Sequence, residues 1–167
     1  MSKVSKKEKR IYCDISKCLG CKSCQIACAL VNSQSKEIYS AVKEKPLPKK
    51  RVFIQVSCDG IYPLQCRHCD EPLCVLSCMS AAITKDSVNN VVVIDEEKCV
   101  ACGMCIMSCP FGALIIDSDK KVAVKCDLCI GKNADERNDP VCVQSCPTKS
   151  LFFGSREEFL RKKEGGK

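Results

Sequence analysis

The sequence predicts an α+β fold made of two intertwined, similar halves, with an inserted segment early in the chain and a helix at its C-terminal end. Three observations predict it. Sixteen of the eighteen cysteines fall into four groups of four, an internal repeat that sets the architecture before any helix is assigned. Short β-branched runs alternate with small or apolar stretches around those groups. Large apolar side chains are scarce: Trp is absent and aromatics make up 5% of the 167 residues. A core built from so little hydrocarbon has to organise around something else.

Taken in order, "MSKVSKKEKR" (1–10) is a charged, flexible tail, and "RIYCDI" (10–15) alternates as a strand does. The first cysteine group follows, Cys18, Cys21, Cys24 and Cys28. Residues 29–57 form an insertion, holding a helical stretch that ends at Pro46 and Pro48 and a strand over "RVFIQVSC" (51–58). The second group is Cys66, Cys69, Cys74 and Cys78. "NNVVVID" (89–95) is a β-branched strand behind a turn at Asn89 and Asn90. The third group is Cys99, Cys102, Cys105 and Cys109; the fourth is Cys126, Cys129, Cys142 and Cys146. Behind each fourth cysteine, stretches such as "MSAAIT" and "PFGALII" predict a short turn of helix and then a strand. The tail "SREEFLRKKE" opens with a capping box, Ser155 to Glu158, and predicts a surface helix within 155–167.

Every group opens with two residues between cysteines and closes with three, and only the middle gap varies. Disulfides are one reading of such density. No secretory apolar region opens the chain, and no window approaches eighteen apolar residues, so the expectation is a cytoplasmic protein, a compartment that does not keep nine disulfides. Zinc, in a basic nucleic-acid-binding module, is another reading, but it asks for four ligands around one small ion, usually as two well-separated cysteine pairs. Three cysteines at two-residue intervals, a fourth three residues on and then Pro form instead the run of bacterial ferredoxins, whose fourth cysteine serves the other cluster of a pair. A cubane is larger than an ion, so the close triad wraps three of its corners. The next cysteine starts a helix that points away, and reaches a neighbouring centre. The four groups thus predict four [4Fe–4S] clusters in two bacterial-ferredoxin-like halves. Groups two and three, at 58–117, have the helix–strand–loop build of one half and exchange fourth ligands; groups one and four, at 11–28 and 122–154, are left to do the same.

The formal charge of +7 invites a nucleic-acid partner. Four oxidised clusters with their thiolates, at about −2 each, bring the sum near −1. The basic runs "KKEKR" (6–10) and "KKR" (49–51) then read as a solvated tail and a solvated loop, and no nucleic acid is expected. No phosphate loop, dinucleotide turn or acid–base pair is present, and fully ligated clusters leave no open iron, so the chain is not expected to be an enzyme in its own right.

With these residues in view, the chain from about Ile11 to Gly154 resembles the four-cluster iron–sulfur electron-transfer subunits found beside molybdopterin oxidoreductases, hydrogenases and carbon monoxide dehydrogenases. The resemblance is carried by "CRHCDEPLC", similar to the family's Cys-x-His-Cys-x-x-Pro-x-Cys stretch, and by "CDLC" followed at a distance by "CVQSCP". It implies four ligand sets. The first is Cys18, Cys21, Cys24 and Cys146, and the second Cys66, Cys69, Cys74 and Cys109. The third is Cys99, Cys102, Cys105 and Cys78, and the fourth Cys126, Cys129, Cys142 and Cys28. It also implies clusters strung across the subunit within hopping distance, and the clusters themselves imply oxygen sensitivity and an anaerobic setting.

The short length and the lead "CLGCKSCQIACALVNSQSK" are most similar to the CooF-type subunit. That points to carbon monoxide dehydrogenase as donor and to a hydrogenase or NAD(P)H/ferredoxin oxidoreductase as acceptor, with membrane contact only through a partner. A hydrogenase or formate dehydrogenase subunit and a freely diffusing polyferredoxin are the alternatives. Two departures stand out: Met79 takes the place where Pro often follows the second group, and the third group keeps all its cysteines, so a four-iron centre is expected there.

Four residues outside the motif logic complete the reading. Cys13 shares a strand face with Ile11 and Ile15, and Cys58 with Val52, Ile54 and Val56, so both are expected as buried thiols acting as small hydrophobes. His68, the sole histidine, either donates a hydrogen bond that tunes a cluster or is a surface residue held by its loop. Lys125, beside Cys126, is expected to be solvated rather than a tuning charge.

Overall fold

The computed structural model describes residues 9–132 and 139–165. The first eight residues of the predicted tail and the last two of the chain lie outside them. The chain runs β1 (Arg10–Cys13), a 3-10 turn (Ile15–Lys17), α1 (Ser23–Val31), α2 (Ile38–Ala41), β2 (Phe53–Ser57), β3 (Gly60–Leu64) and α3 (Leu73–Leu76). It continues with β4 (Ile83–Lys85), β5 (Val92–Ile94), α4 (Met104–Ser108), β6 (Leu114–Asp117), β7 (Val122–Lys125), α5 (Val141–Gln144), β8 (Leu151–Gly154) and α6 (Arg156–Glu164). Helices and short strands are mixed as the repeat predicts. Among the described residues no helix is long and apolar enough to cross a membrane.

The strands form four separate two-stranded antiparallel ladders, β1 with β8, β2 with β3, β4 with β5 and β6 with β7. Three are local hairpins; β1 with β8 joins the two ends of the chain, Ile11 opposite Phe153 and Cys13 opposite Leu151. A lone two-stranded ladder is marginal in water, so the ladders lean on other elements: β4 on α3, β6 on α4, β8 on α5 and, with β1, on α6, and β3 on the 3-10 turn. The packing pairs α1 with α5 and α3 with α4. Two cores result. One gathers Ile11, Val52, Leu128 and Leu151 around Cys24, Cys28, Cys126 and Cys142. The other gathers Ile83, Val92, Leu114 and Ala123 around Cys74 and Cys105. Cysteine takes the place that Leu and Phe fill in most cores.

Three expectations need correction. The helical stretch predicted over 29–48 breaks early: α1 stops at Val31 and α2 has four residues, well before Pro46. Polar side chains end it by capturing the backbone. Asn32 donates to the Cys28 carbonyl (2.8 Å), Ser33 to that of Leu30 (2.6 Å), and Glu37 accepts from the amides of Tyr39 and Ser40 to cap a new turn. In groups two to four the helical turn also lies before the fourth cysteine, not after it, with turns and then β4, β6 and β8 following, whereas Cys28 sits within α1. Finally, Cys58 is exposed, because the alternating run ends at Ser57 and Cys58 falls in the tight turn joining β2 to β3.

The C-terminal helix α6 forms where the capping box places it. Ser155 accepts from the Glu158 amide and Glu158 accepts from the Ser155 amide (2.9 Å). Phe159 stacks on Tyr12 at 5.2 Å between ring centroids, docking the helix on β1. Ser155→Ala is expected to weaken this helix by about 1 kcal/mol, seen as faster amide exchange over 156–161 with the rest of the protein unchanged.

Candidate metal centres

Each cysteine group is built the same way, and the backbone does most of the building. The second residue between the first two cysteines takes positive φ in all four: Gly20 (65°), His68 (48°), Ala101 (53°) and Leu128 (57°). Three of these are not glycine and are held there at a cost on the order of 1 kcal/mol each. Such left-handed residues turn successive amides inward, making the concave nests that accept sulfur and anions. The third cysteine is then the second residue of a short helix in every group: Cys24 in α1, Cys74 in α3, Cys105 in α4 and Cys142 in α5, each no more than 9% exposed. The fourth sits four residues later, about 6 Å further along a helix axis. It ends the helix rather than starting one: Cys109 caps α4, while Cys78 and Cys146 come just past the caps of α3 and α5. Only Cys28 stays inside its helix.

That one-turn offset decides which thiols meet. Cys18, Cys21, Cys24 and Cys146 line one recess, with Leu19, Ile54 and Leu151 as its apolar wall. Cys142 lies within electrostatic reach of Cys126, Cys28 and Cys129. Cys74 faces Cys66 and Cys109, and Cys66 in turn faces Cys69. Cys105 faces Cys99, Cys102 and Cys78. Neighbouring sets also approach each other, Cys142 reaching Cys24 and Cys126 reaching Cys66. Between the second and third sets, Ser77 and Ser108 hydrogen-bond at 2.8 Å across the α3–α4 contact.

The sets suit a group larger than one ion. None of the eighteen cysteines is joined in a disulfide. Among the described residues no three His, Cys, Asp or Glu side chains lie close enough together for a single metal ion. Burial pushes the thiols up, Cys24 and Cys74 to about 11 and Cys126 to about 12, so these ionise only against a positive partner such as iron. Burial also opposes ionisation of Cys146, but hydrogen bonds from Ser150, the Leu151 amide and Thr148 bring it down to about 7. Backbone amides aim at other sulfurs: Arg51 at Cys28 (3.2 Å), Ala123 at Cys99 (3.3 Å), and His68 at Cys66 and Leu128 at Cys126 (both 3.5 Å). Donors of this kind stabilise thiolate and tune a cluster.

Several flanking residues are placed only by the fold. His68 is buried, 2% exposed; Nδ1 accepts from the Val92 amide at 3.1 Å, which puts the proton on Nε2, and that buried atom has no hydrogen-bond partner among the described residues. Burial and the nearby Lys125 charge push the imidazole down to about 3, so it is neutral. Lys125 is buried too, against expectation. Cys13 is half-buried against the first core beside Cys18 and Cys146, its thiol raised to about 12 chiefly by burial, in line with the small-hydrophobe reading.

The run "KKR" is not a solvated loop: Lys49 pairs with Asp119 (2.9 Å) and Arg51 with Asp127 (2.5 Å). Asp127, between Cys126 and Leu128, also accepts from Lys132 (2.6 Å) and the Cys129 amide (3.0 Å). Burial raises its carboxyl, but Arg51 and Lys132 hold it below its ordinary value. The sequence signal was a lone acid inside a cysteine pair, legible only with its cations known. Asp127→Ala strands both cations and is expected to cost about 3 kcal/mol, measured by anaerobic chemical denaturation; a change within 0.5 kcal/mol would contradict the network.

Comparison with known proteins agrees with this geometry. Residues 59–156 match the family described as 4Fe-4S dicluster domain, and residues 15–31 match the 4Fe-4S binding domain. The chain is 36% identical over 159 residues to the probable anaerobic dimethyl sulfoxide reductase chain YnfG of Escherichia coli K12, covering 92% of this chain and 76% of that one. It is 35% identical over 153 residues to an iron-sulfur protein of Rhodospirillum rubrum, covering 84% and 79%. It is 31% identical over 160 residues to the iron-sulfur subunit of the nitrate-inducible formate dehydrogenase of Escherichia coli K12, covering 88% of this chain and 54% of that one. The chain therefore belongs to the 4Fe-4S dicluster family of iron–sulfur electron-transfer subunits of oxidoreductase complexes, non-catalytic itself, with [4Fe–4S] clusters, four by its cysteine sets, as its cofactors.

Proposed function

We propose that this chain relays single electrons along a line of four clusters, held by the first, fourth, second and third cysteine sets in that order. The observation that carries the reading is the gradient of exposure along the line. Cys21 of the first set and Cys102 of the third are exposed, while Cys28, Cys126, Cys129 and Cys142 of the fourth are all buried. Cys142 lies within electrostatic reach of Cys24, and Cys126 of Cys66, which links the first, fourth and second sets, and the Ser77–Ser108 hydrogen bond links the second to the third. Electrons enter at one exposed edge and leave at the other. The clusters supply the one-electron chemistry. The chain supplies thiolates, amide donors and a dry interior that sets spacing and potential. Two halves support this layout, groups two and three joined by α3 with α4, groups one and four by α1 with α5.

For the donor we propose carbon monoxide dehydrogenase, on the strength of the lead "CLGCKSCQIACALVNSQSK", with a hydrogenase or NAD(P)H/ferredoxin oxidoreductase as acceptor. A second reading, a subunit of a dimethyl sulfoxide reductase or formate dehydrogenase, is favoured by the names of the relatives at 36% and 31% identity. The test is anaerobic purification, iron and sulfide counting, and reduction by partner. About sixteen of each per chain, with bleaching by dithionite, is expected. Zinc without sulfide would overturn the cofactor reading. Faster reduction by CO-reduced dehydrogenase than by formate-reduced dehydrogenase is the outcome expected for the donor; the reverse would select the second reading.

A further inference from the structure

Lys125 ends β7, whose four residues are all buried, and its own side chain is 3% exposed. Its ammonium donates to the Val92 carbonyl of β5 and to the Cys126 carbonyl (2.9 Å). Both partners are neutral. A buried charge normally comes with an opposite charge, because desolvating it alone is expensive. Arg51 shows the ordinary arrangement nearby, its guanidinium matched by Asp127 at 2.5 Å. Among the described residues no carboxylate pairs with Lys125 in that way. The nearest imidazole, His68, is neutral and offers Nε2–H rather than a negative atom.

Two cysteine sets flank the ammonium. Its Cys126 partner belongs to the fourth set, and Val92, whose carbonyl takes its other hydrogen bond, donates its own amide to His68, which stands between Cys66 and Cys69 of the second. Cys126 and Cys66 also reach each other, so the ammonium stands where these two sets adjoin. With clusters in place, each fully oxidised set carries a net negative charge and each added electron makes it more negative. A cation between them in a low-dielectric interior interacts more strongly than any surface lysine can.

We propose that the buried Lys125 ammonium is the shared countercharge of the second and fourth clusters, and that it raises the potentials of both relative to the outer pair. This rests on the four-cluster relay proposed above. It turns the joint between the two ligand-exchanging halves from a gap into a favourable step for the electron, since reduction of either inner cluster is stabilised by the same charge. Lys125 acts here as a positioning residue, touching thiolate environments rather than a reacting substrate.

The experiment is an EPR-monitored redox titration of the iron-loaded full chain, with Lys125→Gln and Lys125→Arg beside the wild type. Gln keeps N–H donors for the Val92 and Cys126 carbonyls but removes the charge; Arg keeps it. Iron counting comes first. A wild type without about sixteen iron atoms would defeat the relay reading itself, whatever Lys125 does. With the clusters present, the expected result is that two of the four potentials fall in Lys125→Gln, the other two moving much less, while Lys125→Arg leaves the order of potentials as in wild type. Four unmoved potentials, four equal shifts, or the same shifts in Gln and Arg variants would overturn the proposal. Should Lys125→Gln lose iron, Lys125→Arg decides: full loading supports a required charge, and equal loss shows that side-chain shape is what matters.

Discussion

Removing the iron is expected to abolish cooperative folding. In the larger core, Cys24, Cys28, Cys126 and Cys142 sit among Ile11, Val52, Val91, Leu128 and Leu151. In the smaller one Cys74 and Cys105 play the same part. Among the described residues the most completely buried side chains are no larger than Val92 and Pro140. Four detached two-stranded ladders cannot support themselves, and Ala101, Leu128 and His68 are held in left-handed backbone conformations. What offsets that strain is metal–sulfur bonding, absent in the unfolded chain, so binding free energy becomes folding free energy. Oxidative stripping in a chelator should therefore remove essentially the whole of an ordinary domain's ~5–15 kcal/mol. Far-UV circular dichroism and a thermal scan under argon, with the thiols kept reduced, provide the check. An iron-free protein that still melts sharply within a few degrees of the loaded one would show that hydrocarbon packing suffices.

Replacing one fourth cysteine is expected to open a cluster whose other ligands are far away in sequence. Cys146→Ala should expose Cys18, Cys21 and Cys24, which share its recess, and leave Cys126, Cys129 and Cys142 protected. Cys28→Ala should do the converse, since Cys28 faces Cys129, Cys126 and Cys142. Iron should fall from about sixteen to about twelve per chain, or by one atom if a three-iron centre survives. Alkylation of the native protein followed by mass spectrometry reads the pairing directly, because only thiols released from iron react. Labelling of Cys126, Cys129 and Cys142 in Cys146→Ala would refute the exchange of ligands between groups one and four. Serine in place of alanine provides a milder variant if the alanine chain does not fold.

Much of the site was legible because its chemistry is local. Two-residue and three-residue gaps specify a nest and a helical turn within a dozen residues, which is why the ligand groups could be read before any contact was known. The capping box at Ser155 and Glu158 was equally plain, both partners lying three residues apart. The insertion was less so: the proline pair at 46 and 48 suggested where a helix must stop, but Asn32, Ser33 and Glu37 had already stopped it. Side chains that compete for the backbone act over three or four residues and leave little periodic trace.

By itself, then, the sequence determined the cofactor class and the mixed architecture, and it singled out the sixteen thiols proposed as ligands, because thiol spacing is a short-range property of the chain. Only the tertiary structure decided the electrostatics. Lys125 reads as a solvated neighbour of Cys126 until β7 carries it under the Val92 carbonyl, and Arg51 reads as loop charge until it meets Asp127. His68 becomes an inward-facing donor only once Val92 occupies its Nδ1, and Cys58 turns outward because a hairpin happens to end at Ser57. Burial and the charges around a buried group depend on which distant segments meet, and that is a property of packing that no spacing within one segment encodes.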